Sequence, residues 1–518
     1  MRLSGAFALL AAVHEGATQK VVSADFHRIQ FPPDLVQVTR RGTLNLAALN
    51  NITGGGYYSA VQVGTPGQKA LLHIDTGSSD TWILDKQADL CTSTSMQRRY
   101  GTGCTDTFNS SLSSTFKVVS PNGFDVTYLD GKHIRGDYVQ DVVSIDGKTI
   151  KNQQLGLAFQ TTKAAGLLGL GFTEGTTSQR EYHTILDTMV MQGQIGRKAY
   201  SIWLRGALPS PLLLTRETPQ NDLSSAEGTV LFGGVDTEKY IGKLTTLPLV
   251  NDFYSGKVTS YSVDLTGVAI EAPGQKAVEM AAGSFNAPTF LDSGSTVCLL
   301  PPDLAKAIWA KYDVVDAGYG IVDCAWAGPQ GEGHAVDFEF AGGSLRVRVP
   351  LEEMVLDNLA GVADQLEGVV PFDRACMFGI QNSATFNVES DRFALLGDTF
   401  LRSVYVVYDE ANRQVGIAQA NLNASRSNII ELRANETALP TATGVASQVT
   451  TAGPARTAGG GGGGAHSTTT PPVTTAAAGE SANAAPRGGA TSSWGPDGVF
   501  LASFMSVFAL AGAALLAV

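Results

Sequence analysis

The chain has 518 residues, which is too long for one ordinary domain and long enough for two sizeable cores with additional segments. Its composition of 43% hydrophobic and 16% charged residues, with 58 glycines, favours a mostly β protein rich in turns. The formal net charge of −12 without a basic stripe argues against a nucleic-acid partner, and five cysteines without a CxxC pair argue against a structural zinc site.

The N-terminus has the pattern of a secretory signal. Arg2 precedes an apolar run, residues 6–13, that is too short to span a bilayer, and we expect residues 1–17 to be removed as a signal peptide. An Ala-rich start without a targeting role is the alternative. Secretion would permit disulfides, and it would permit N-glycosylation at four sequons: Asn51, Asn109, Asn423 and Asn435.

A dibasic pair precedes the first strand-like segment. We interpret Arg40-Arg41 as the site at which a processing protease removes a pro-segment, residues 18–41, and leaves Gly42 as the new N-terminus. Two solvated arginines without a processing role are the alternative. On the first interpretation the protein is made as a zymogen.

From Tyr57 to about Ala420 the chain alternates short apolar runs with clusters of Gly, Asp, Asn and Ser. The segment 57–75 is typical of two strands joined by a Gly-Thr-Pro-Gly turn, and the segment 124–145 is typical of a hairpin that turns near Asp130-Gly131. Helical periodicity occurs in the segments 180–195 and 301–312, and the second has Pro302 in its first turn.

An acid at the end of an apolar run occurs twice with the same surroundings. Asp75 ends "LLHID" and Asp292 ends "PTFLD". Each acid starts an Asp-[Thr/Ser]-Gly-Ser turn, whose other residues are Thr76, Gly77, Ser78, Ser293, Gly294 and Ser295. One copy alone is as well explained by an Asx-turn. Two copies, each between hydrophobic runs, predict a pair of acids that act together.

A second motif repeats in the same order. The segments "AAGLLGLGF" and "FALLGDTF" each carry two leucines followed by a glycine, Gly169 after the first acid and Gly397 after the second. Strand, acidic turn and Leu-Leu-Gly therefore recur in each half of the chain. This pattern indicates an internal duplication that places one acid in each of two lobes.

The composition changes after residue 420. Residues 421–497 are rich in Thr, Ala, Gly and Pro, and we expect a flexible, O-glycosylated stalk. The apolar segment 498–518 is about long enough to span a membrane but has no Lys or Arg after it. Small residues precede it at 483–485 and at 488–490, which is the pattern of a GPI-attachment signal. A retained membrane helix is the alternative.

The two acidic turns, the two Leu-Leu-Gly segments and the hairpin between them resemble the pepsin-like aspartic proteases over roughly residues 55–420. The signal, dibasic site, stalk and tail resemble the fungal cell-surface members, the yapsin-like proteases. The resemblance implies a bilobal, mostly β fold with an N-terminal catalytic lobe, residues 42–240, a C-terminal catalytic lobe, residues 241–420, and a cleft between them. It also implies secretion and GPI anchoring on the extracellular face of the plasma membrane or cell wall.

The resemblance makes Asp75 and Asp292 the catalytic residues of an endopeptidase. Two carboxyls held close together cannot both ionise at low cost, so they share a proton, and one activates water while the other protonates the amide. The partners of such an endopeptidase would be protein or peptide substrates and pepstatin-like inhibitors. The enzyme would work at acidic pH and would need neither a metal nor an organic cofactor. The resemblance also implies that Ser78 and Ser295 donate hydrogen bonds to the outer carboxylate oxygens.

Further roles follow from the resemblance. Thr76 and Ser293 brace the two turns against each other, and Gly77 and Gly294 allow the backbone to approach the carboxylates. The hairpin corresponds to the flap that closes over substrate, with Tyr128 as its tyrosine, Trp82 as the hydrogen-bonding partner, and Asp130 and Gly131 at its tip.

The cysteines are assigned by the same comparison. Cys324 and Cys376 match a disulfide of the C-terminal lobe, and a Cys91–Cys104 disulfide would close a small loop beside the cleft. Cys298 is interpreted as a buried small hydrophobe rather than a nucleophile.

A catalytically silent binding or wall protein with the same fold is the rival hypothesis. Silent relatives usually lack an acid or a flap element, whereas Asp75, Asp292 and Tyr128 are all present here. Yapsin-like relatives prefer basic residues near the scissile bond, and an acidic cleft would provide that preference.

Overall fold

The computed structural model describes residues 19–30, 55–205, 227–251, 257–359, 366, 368–422 and 424–447. The expected signal peptide, the Arg40-Arg41 site, the sequons at Asn51 and Asn423, and all residues after 447 lie outside the described residues. Within the described ranges, no helix has the length and apolar character needed to cross a bilayer.

The first half of the chain forms twelve of the described strands: β1 Val22–Gln30, β2 Gly55–Val63, β3 Gln68–Asp75, β4 Trp82–Leu84, β5 Lys117–Thr127, β6 His133–Ile145, β7 Lys148–Gln160, β8 Gly166–Gly169, β9 Ala199–Arg205, β10 Glu227–Phe232, β11 Gly234–Asp236 and β12 Thr245–Pro248. Three short helices accompany them: α1 Asp89–Thr92, α2 Thr94–Tyr100 and α3 Ile185–Met191. The two strands predicted around the Gly-Thr-Pro-Gly turn are β2 and β3, and the predicted flap hairpin is formed by β5 and β6.

The second half continues in the same manner: β13 Ser262–Glu271, β14 Val278–Ala281, β15 Ala287–Leu291, β16 Cys298–Leu300, β17 Val315–Asp316, β18 Gly320–Asp323, β19 Ala335–Phe340, β20 Leu345–Pro350, β21 Val355–Leu356, β22 Ala375–Phe378, β23 Ile380–Asn382, β24 Ala394–Leu396, β25 Val404–Asp409, β26 Gln414–Gln419 and β27 Ile429–Glu431. Its described α-helices are α4 Pro302–Trp309 and α5 Asp398–Leu401. The prediction of a mostly β fold is confirmed.

The same three-strand arrangement occurs in each half. In the first, β8 pairs in parallel with β3 and antiparallel with β4. In the second, β24 pairs in parallel with β15 and antiparallel with β16. The parallel pairs align Asp75 with Gly169 and Leu291 with Leu396. The duplication predicted from the two motifs is therefore present in the topology, and each half brings its acid to the end of a parallel strand.

One large sheet joins the two halves. Its thirteen strands lie in the order β12-β26-β25-β9-β10-β1-β2-β3-β8-β4-β7-β6-β5. Strand β25 from the second half pairs antiparallel with β9 from the first half. An eight-stranded sheet in the second half has the order β20-β19-β13-β15-β24-β16-β23, with β14 beside β13. Two smaller sheets have the orders β17-β18-β22-β21 and β11-β27.

Strand β1 lies in the middle of the large sheet and falls within the expected pro-segment. It pairs antiparallel with β10 on one side and β2 on the other. Val22, Ala24 and Phe26 point into the core, and the Phe26 ring packs edge-on against Tyr57 with ring centroids 5.4 Å apart. Without β1, both neighbouring strands would present an unpaired edge.

The chain after residue 420 continues along the body of the protein. Strand β27 pairs with β11, Leu432 and Leu439 are buried, and the Gly242 N–H donates to the Val445 carbonyl at 3.0 Å. Packing therefore extends beyond residue 421, the expected start of the stalk. The composition did not predict this packing, because a few isolated aliphatic side chains are enough to cover a sheet edge in an otherwise polar segment.

A buried ion cluster lies where the halves meet. Lys198 Nζ is 2.6 Å from Glu410 Oε1 and 2.7 Å from Asp187 Oδ1, and Tyr261 Oη donates to Glu410 Oε2 at 3.3 Å. Burial raises the pKa of Glu410 to about 7, although the Lys198 ammonium opposes this change. The cluster ties the α3 region of the first half to the β25–β26 turn.

Candidate active site

Asp75 and Asp292 each stand at the end of a core strand, followed by a tight turn. The Gly77 N–H donates to Asp75 Oδ1 and the Gly294 N–H donates to Asp292 Oδ1, both at 2.8 Å. These bonds are Asx-turns, formed because a short aspartate side chain reaches the N–H group two residues ahead. The turn and the pairing of the acids are therefore compatible, and the turn fixes each carboxylate.

The outer oxygen of each carboxylate accepts a hydroxyl hydrogen bond. Ser78 Oγ donates to Asp75 Oδ2 and Ser295 Oγ donates to Asp292 Oδ2, both at 2.6 Å. In each turn, the glycine N–H two residues after the acid binds Oδ1, and the serine hydroxyl three residues after it binds Oδ2. The two turns therefore have equivalent hydrogen bonds.

The glycines of the two turns bring the carboxylates together. A Cβ added to Gly77 would lie 2.5 Å from Asp292 Oδ1, and one added to Gly294 would lie 2.4 Å from Asp75 Oδ1. Real Cβ atoms do not approach oxygen so closely, so each position requires glycine. Each inner carboxylate oxygen therefore packs against the backbone of the opposite turn, and Asp75 and Asp292 hydrogen-bond to each other.

Thr76 and Ser293 connect the turns through their hydroxyls. Ser293 Oγ accepts from the Thr76 N–H at 3.2 Å and donates to the Ile74 carbonyl at 3.0 Å. Thr76 Oγ1 accepts from the Ser293 N–H at 3.0 Å and donates to the Leu291 carbonyl at 2.8 Å. Both side chains are buried. Four hydrogen bonds thus hold the two lobes together directly beneath the acids.

The electrostatics of the pair favour a shared proton. Burial, and then the negative charge of Asp75, raise the pKa of Asp292 well above its ordinary value, although bonds from Ser295 and Gly294 oppose the increase. A protonated carboxyl beside an ionised one is the arrangement expected for two close acids in a buried site. One group can then accept a proton while the other donates one.

The hairpin that we predicted to be the flap lies close to the acids, since burial and then the negative charge of Asp75 raise the pKa of its Tyr128. Its turn is closed by hydrogen bonds from the Gly131 N–H to the Tyr128 carbonyl at 2.8 Å and from the Tyr128 N–H to the Lys132 carbonyl at 2.9 Å, and Gly131 has φ +77°. Trp82 Nε1 donates to Tyr128 Oη at 2.7 Å. The tip residue Leu129 packs against a cluster of the C-terminal half. The flap hairpin therefore reaches from one lobe to the other.

Asp80 is a buried acid that the sequence did not single out. Tyr182 Oη and Tyr138 Oη donate to its Oδ1 at 2.5 and 2.9 Å, and the Thr177 N–H donates to its Oδ2 at 2.7 Å. Burial raises the pKa of Asp80, while these bonds oppose that change. Tyr138 and Tyr182 of this network pack in the same cluster as Trp82 and Tyr128. The sequence shows Asp80 only as one more acid shortly after the first acidic turn.

Lys163 is a second residue that sequence reasoning missed. Its Nζ lies 4.5 Å from the centroid of the Tyr128 ring, so a cation faces the flap tyrosine. Lys163 belongs to the loop between β7 and β8. A lone lysine just before the Leu-Leu-Gly motif carries no recognisable signal of this contact.

Both expected disulfides are present, Cys91–Cys104 and Cys324–Cys376. The first packs against the cluster that contains Trp82 and Tyr128. Cys298 is free and buried, its Sγ lies 3.3 Å from Thr399 Oγ1, and burial raises the pKa of its thiol to about 11. A thiol that ionises so weakly is a poor nucleophile.

Two of the four sequons fall on described residues. The Asn109 side chain is partly buried and accepts from the Ser111 N–H at 3.2 Å, capping a short 3-10 turn. Asn435 is exposed in a loop.

Comparison with known families agrees with this geometry. A family model described as eukaryotic aspartyl protease matches residues 56–420, which is most of the chain. The chain belongs to the eukaryotic aspartyl protease family. The match spans both acidic turns and the flap of this protease.

Several relatives of the protease come from fungi. It is 33% identical over 448 residues to the "Probable aspartic-type endopeptidase opsB" of Aspergillus fumigatus, a match that covers 85% of this chain and 84% of the relative. It is 32% identical to the "Acid protease" of Saccharomycopsis fibuligera, covering 70% and 80% respectively. It is 30% identical to "Secreted aspartic protease 8" of Candida albicans, covering 75% and 81%. The protein is an aspartic-type endopeptidase.

Proposed function

We propose that Asp75 and Asp292 are the catalytic pair of this endopeptidase and hydrolyse peptide bonds through a water molecule held between them. The ionised carboxylate takes a proton from the water, which attacks the peptide carbonyl carbon. The protonated carboxyl donates its proton to the carbonyl oxygen. The carboxyl that took the proton from water then passes it to the amide nitrogen as the C–N bond breaks, and the proton on the former carbonyl oxygen returns to the other carboxylate, which restores the pair. The matched hydrogen bonds of the two turns, which aim both inner oxygens at one point, support this proposal most strongly.

The surrounding residues have supporting roles in this proposal. Ser78 and Ser295 occupy the outer oxygens, so only the inner oxygens remain for water and substrate. Tyr128, Asp130 and Gly131 form the part of the flap that lies over the bound peptide, and the Trp82 bond positions the Tyr128 ring. Because the reaction needs one protonated and one ionised acid, we expect the best activity at acidic pH.

Cleavage of a peptide library at acidic pH tests the catalytic assignment. Wild type should cleave, and Asp75→Asn and Asp292→Asn should each lose at least about a thousandfold in kcat/KM, because the pair acts as a unit. A pepstatin-like inhibitor should block the wild type. Asp146→Asn is a matched control, because Asp146 is exposed in a turn and Asn tolerates its positive φ. Equal cleavage by Asp75→Asn and wild type would contradict the assignment.

We further propose that the protease is secreted, processed at Arg40-Arg41 and GPI-anchored on the cell surface. The signal-like N-terminus, the dibasic pair and the terminal apolar segment support this, as does the secreted relative from Candida albicans. N-terminal sequencing of the secreted protein should find Gly42, and a start upstream of Gly42 argues against processing there. A phosphatidylinositol-specific lipase should release the protein from cells, and persistent retention on the membrane argues against the anchor.

A further inference from the structure

Two ammonium groups and one carboxylate lie around Tyr128, beside the catalytic pair. Lys163 Nζ stands over the Tyr128 ring, and Lys132 Nζ is 3.5 Å from Asp130 Oδ2. The Lys132 N–H also donates to Asp130 Oδ1 at 3.0 Å. We call Lys132, Lys163 and Asp130, together with His73, the flap-base cluster.

The cluster carries a net positive charge. Burial alone would raise the pKa of Asp130, but the charges of Lys163 and Lys132 outweigh burial and lower it, so Asp130 is ionised. Lys132 pairs with this carboxylate, whereas Lys163 forms no ion pair with any described residue. Its ammonium group contacts a ring face, which leaves its N–H donors available to a further acceptor.

His73 adds no charge to the cluster. It lies in β3, two residues before Asp75, and its ring stacks on Tyr58 with centroids 4.8 Å apart. Burial, together with the neighbouring ammonium groups, lowers the pKa of His73 to about 3. Its Nε2 is buried against Gly56 and has no hydrogen-bond partner in the part of the chain that the structure describes, so it cannot neutralise a ligand or compete for one.

The loop that carries Lys163 is held in place. The Thr161 N–H donates to Asp89 Oδ1 at 2.9 Å, the Lys163 N–H donates to Thr161 Oγ1 at 2.9 Å, and the Ala164 carbonyl accepts from the Thr105 N–H at 2.9 Å. The backbone of Lys163 is therefore fixed from three sides, next to the strand that pairs with β3. A positioned cation of this kind discriminates between ligand charges better than a mobile surface lysine does.

We propose that the flap-base cluster makes this protease favour an aspartate or glutamate side chain next to the scissile bond, with Lys163 as the residue that binds it. The proposal rests on Asp75 and Asp292 being the catalytic pair, because the cluster surrounds Tyr128 and the charge of Asp75 acts on that same side chain. A peptide beneath the flap brings a side chain near Tyr128, where a carboxylate meets an unpaired ammonium group and a basic side chain meets two like charges. The preference is opposite to the basic one expected from the yapsin-like resemblance.

Matched peptides that differ only in Glu or Gln test the proposal. The substitution is placed in turn at each of the four positions nearest the scissile bond, and kcat/KM is measured at about pH 5.5, where a free glutamate is ionised. At one position, wild type should cleave the Glu peptide about tenfold better than the Gln peptide. The ratio should fall towards one as the pH drops below about 4, because the substrate carboxylate becomes neutral.

Variants of Lys163 separate recognition from flap support. Lys163→Met should lower cleavage of the Glu peptide about tenfold more than cleavage of the Gln peptide and so abolish the Glu preference. Lys163→Glu should favour a Lys peptide at the same position. Lys148→Met is the control, because Lys148 is an exposed lysine at the start of β7.

Two results would overturn the proposal. The first is a Glu-to-Gln ratio of kcat/KM near one at all four positions in wild type. The second is an equal loss of kcat/KM for both peptides in Lys163→Met, which would mean that Lys163 only holds the flap. Cleavage of the Gln peptide by wild type and its loss in Asp75→Asn test the catalytic assignment separately, so failure of one proposal is distinguishable from failure of the other.

Discussion

Thr76 and Ser293, 217 positions apart in the chain, exchange hydrogen bonds across the boundary between the two lobes. Each hydroxyl accepts from the N–H of the other residue and donates to the carbonyl that precedes the opposite acid, either Leu291 or Ile74. The positions of the two carboxylates therefore depend on one another. A change in either hydroxyl should affect both stability and catalysis.

Ser293→Ala tests this coupling. The substitution removes the hydrogen bonds that the Thr76 N–H and the Ile74 carbonyl make with Ser293 Oγ, so we expect a loss of about 1–3 kcal/mol in the free energy of unfolding and a lower kcat/KM. Urea denaturation and steady-state kinetics measure the two effects. Ser293→Thr, which copies the residue of the first turn, should retain most of both. A Ser293→Ala protein as stable and active as wild type would show that the bonds contribute little.

The bond between Trp82 and Tyr128 should be visible in a double-mutant cycle. Tyr128→Phe removes the acceptor of the buried indole N–H, and Trp82→Phe removes the donor. We expect each to lower kcat/KM and the double variant to lose little more than either one, with a coupling free energy of about 1 kcal/mol. Tyr312→Phe is the control, since the buried Tyr312 hydroxyl has no hydrogen-bond partner among the described residues. Strictly additive losses would argue against this role for the bond.

Ser295→Ala should move the alkaline limb of the pH–activity profile. The Ser295 hydroxyl stabilises the ionised form of Asp292 and so lowers its pKa. Without that bond the pKa of Asp292 rises further, and the protonated form needed for proton donation persists to higher pH. We expect the alkaline limb of kcat/KM to shift upward by about half to one pH unit. The exposed variant Ser95→Ala should leave the profile unchanged, and a downward shift in Ser295→Ala would contradict the argument.

Glu410 should make the protease less stable as the pH rises. The folded pKa of about 7 lies above that of an unfolded glutamate, so the folded state binds this proton more tightly. The stability from this proton is fully present below about pH 4.3 and is lost as the pH rises through 7. Asp292 acts in the same direction, because its pKa is also raised.

Urea midpoints measured between about pH 4 and 8 check this prediction. Glu410→Gln should flatten the decline over that range, whereas Glu389→Gln, at an exposed position, should follow the wild type. An unchanged slope in Glu410→Gln would show that other groups cause the decline.

The central features of the site could be predicted from the sequence because they repeat. The two acidic turns and the two Leu-Leu-Gly segments predicted a duplicated fold, and the topology around β8 and β24 has that duplication. The flap hairpin and both disulfides were predicted as well. Lys163, Asp80 and Glu410 were not, because each belongs to a single unrepeated segment and acquires its partners only when distant loops pack together.

The sequence by itself determined the local geometry of each acid. A glycine two residues ahead and a serine three residues ahead lie within reach of an aspartate side chain, so each turn forms its own two hydrogen bonds. Only the tertiary structure decided how close the two carboxylates lie, how far the pKa of Asp292 is raised and which charged side chains surround the flap. Those properties depend on burial and on distances between segments far apart in the chain, and packing of the lobes sets both.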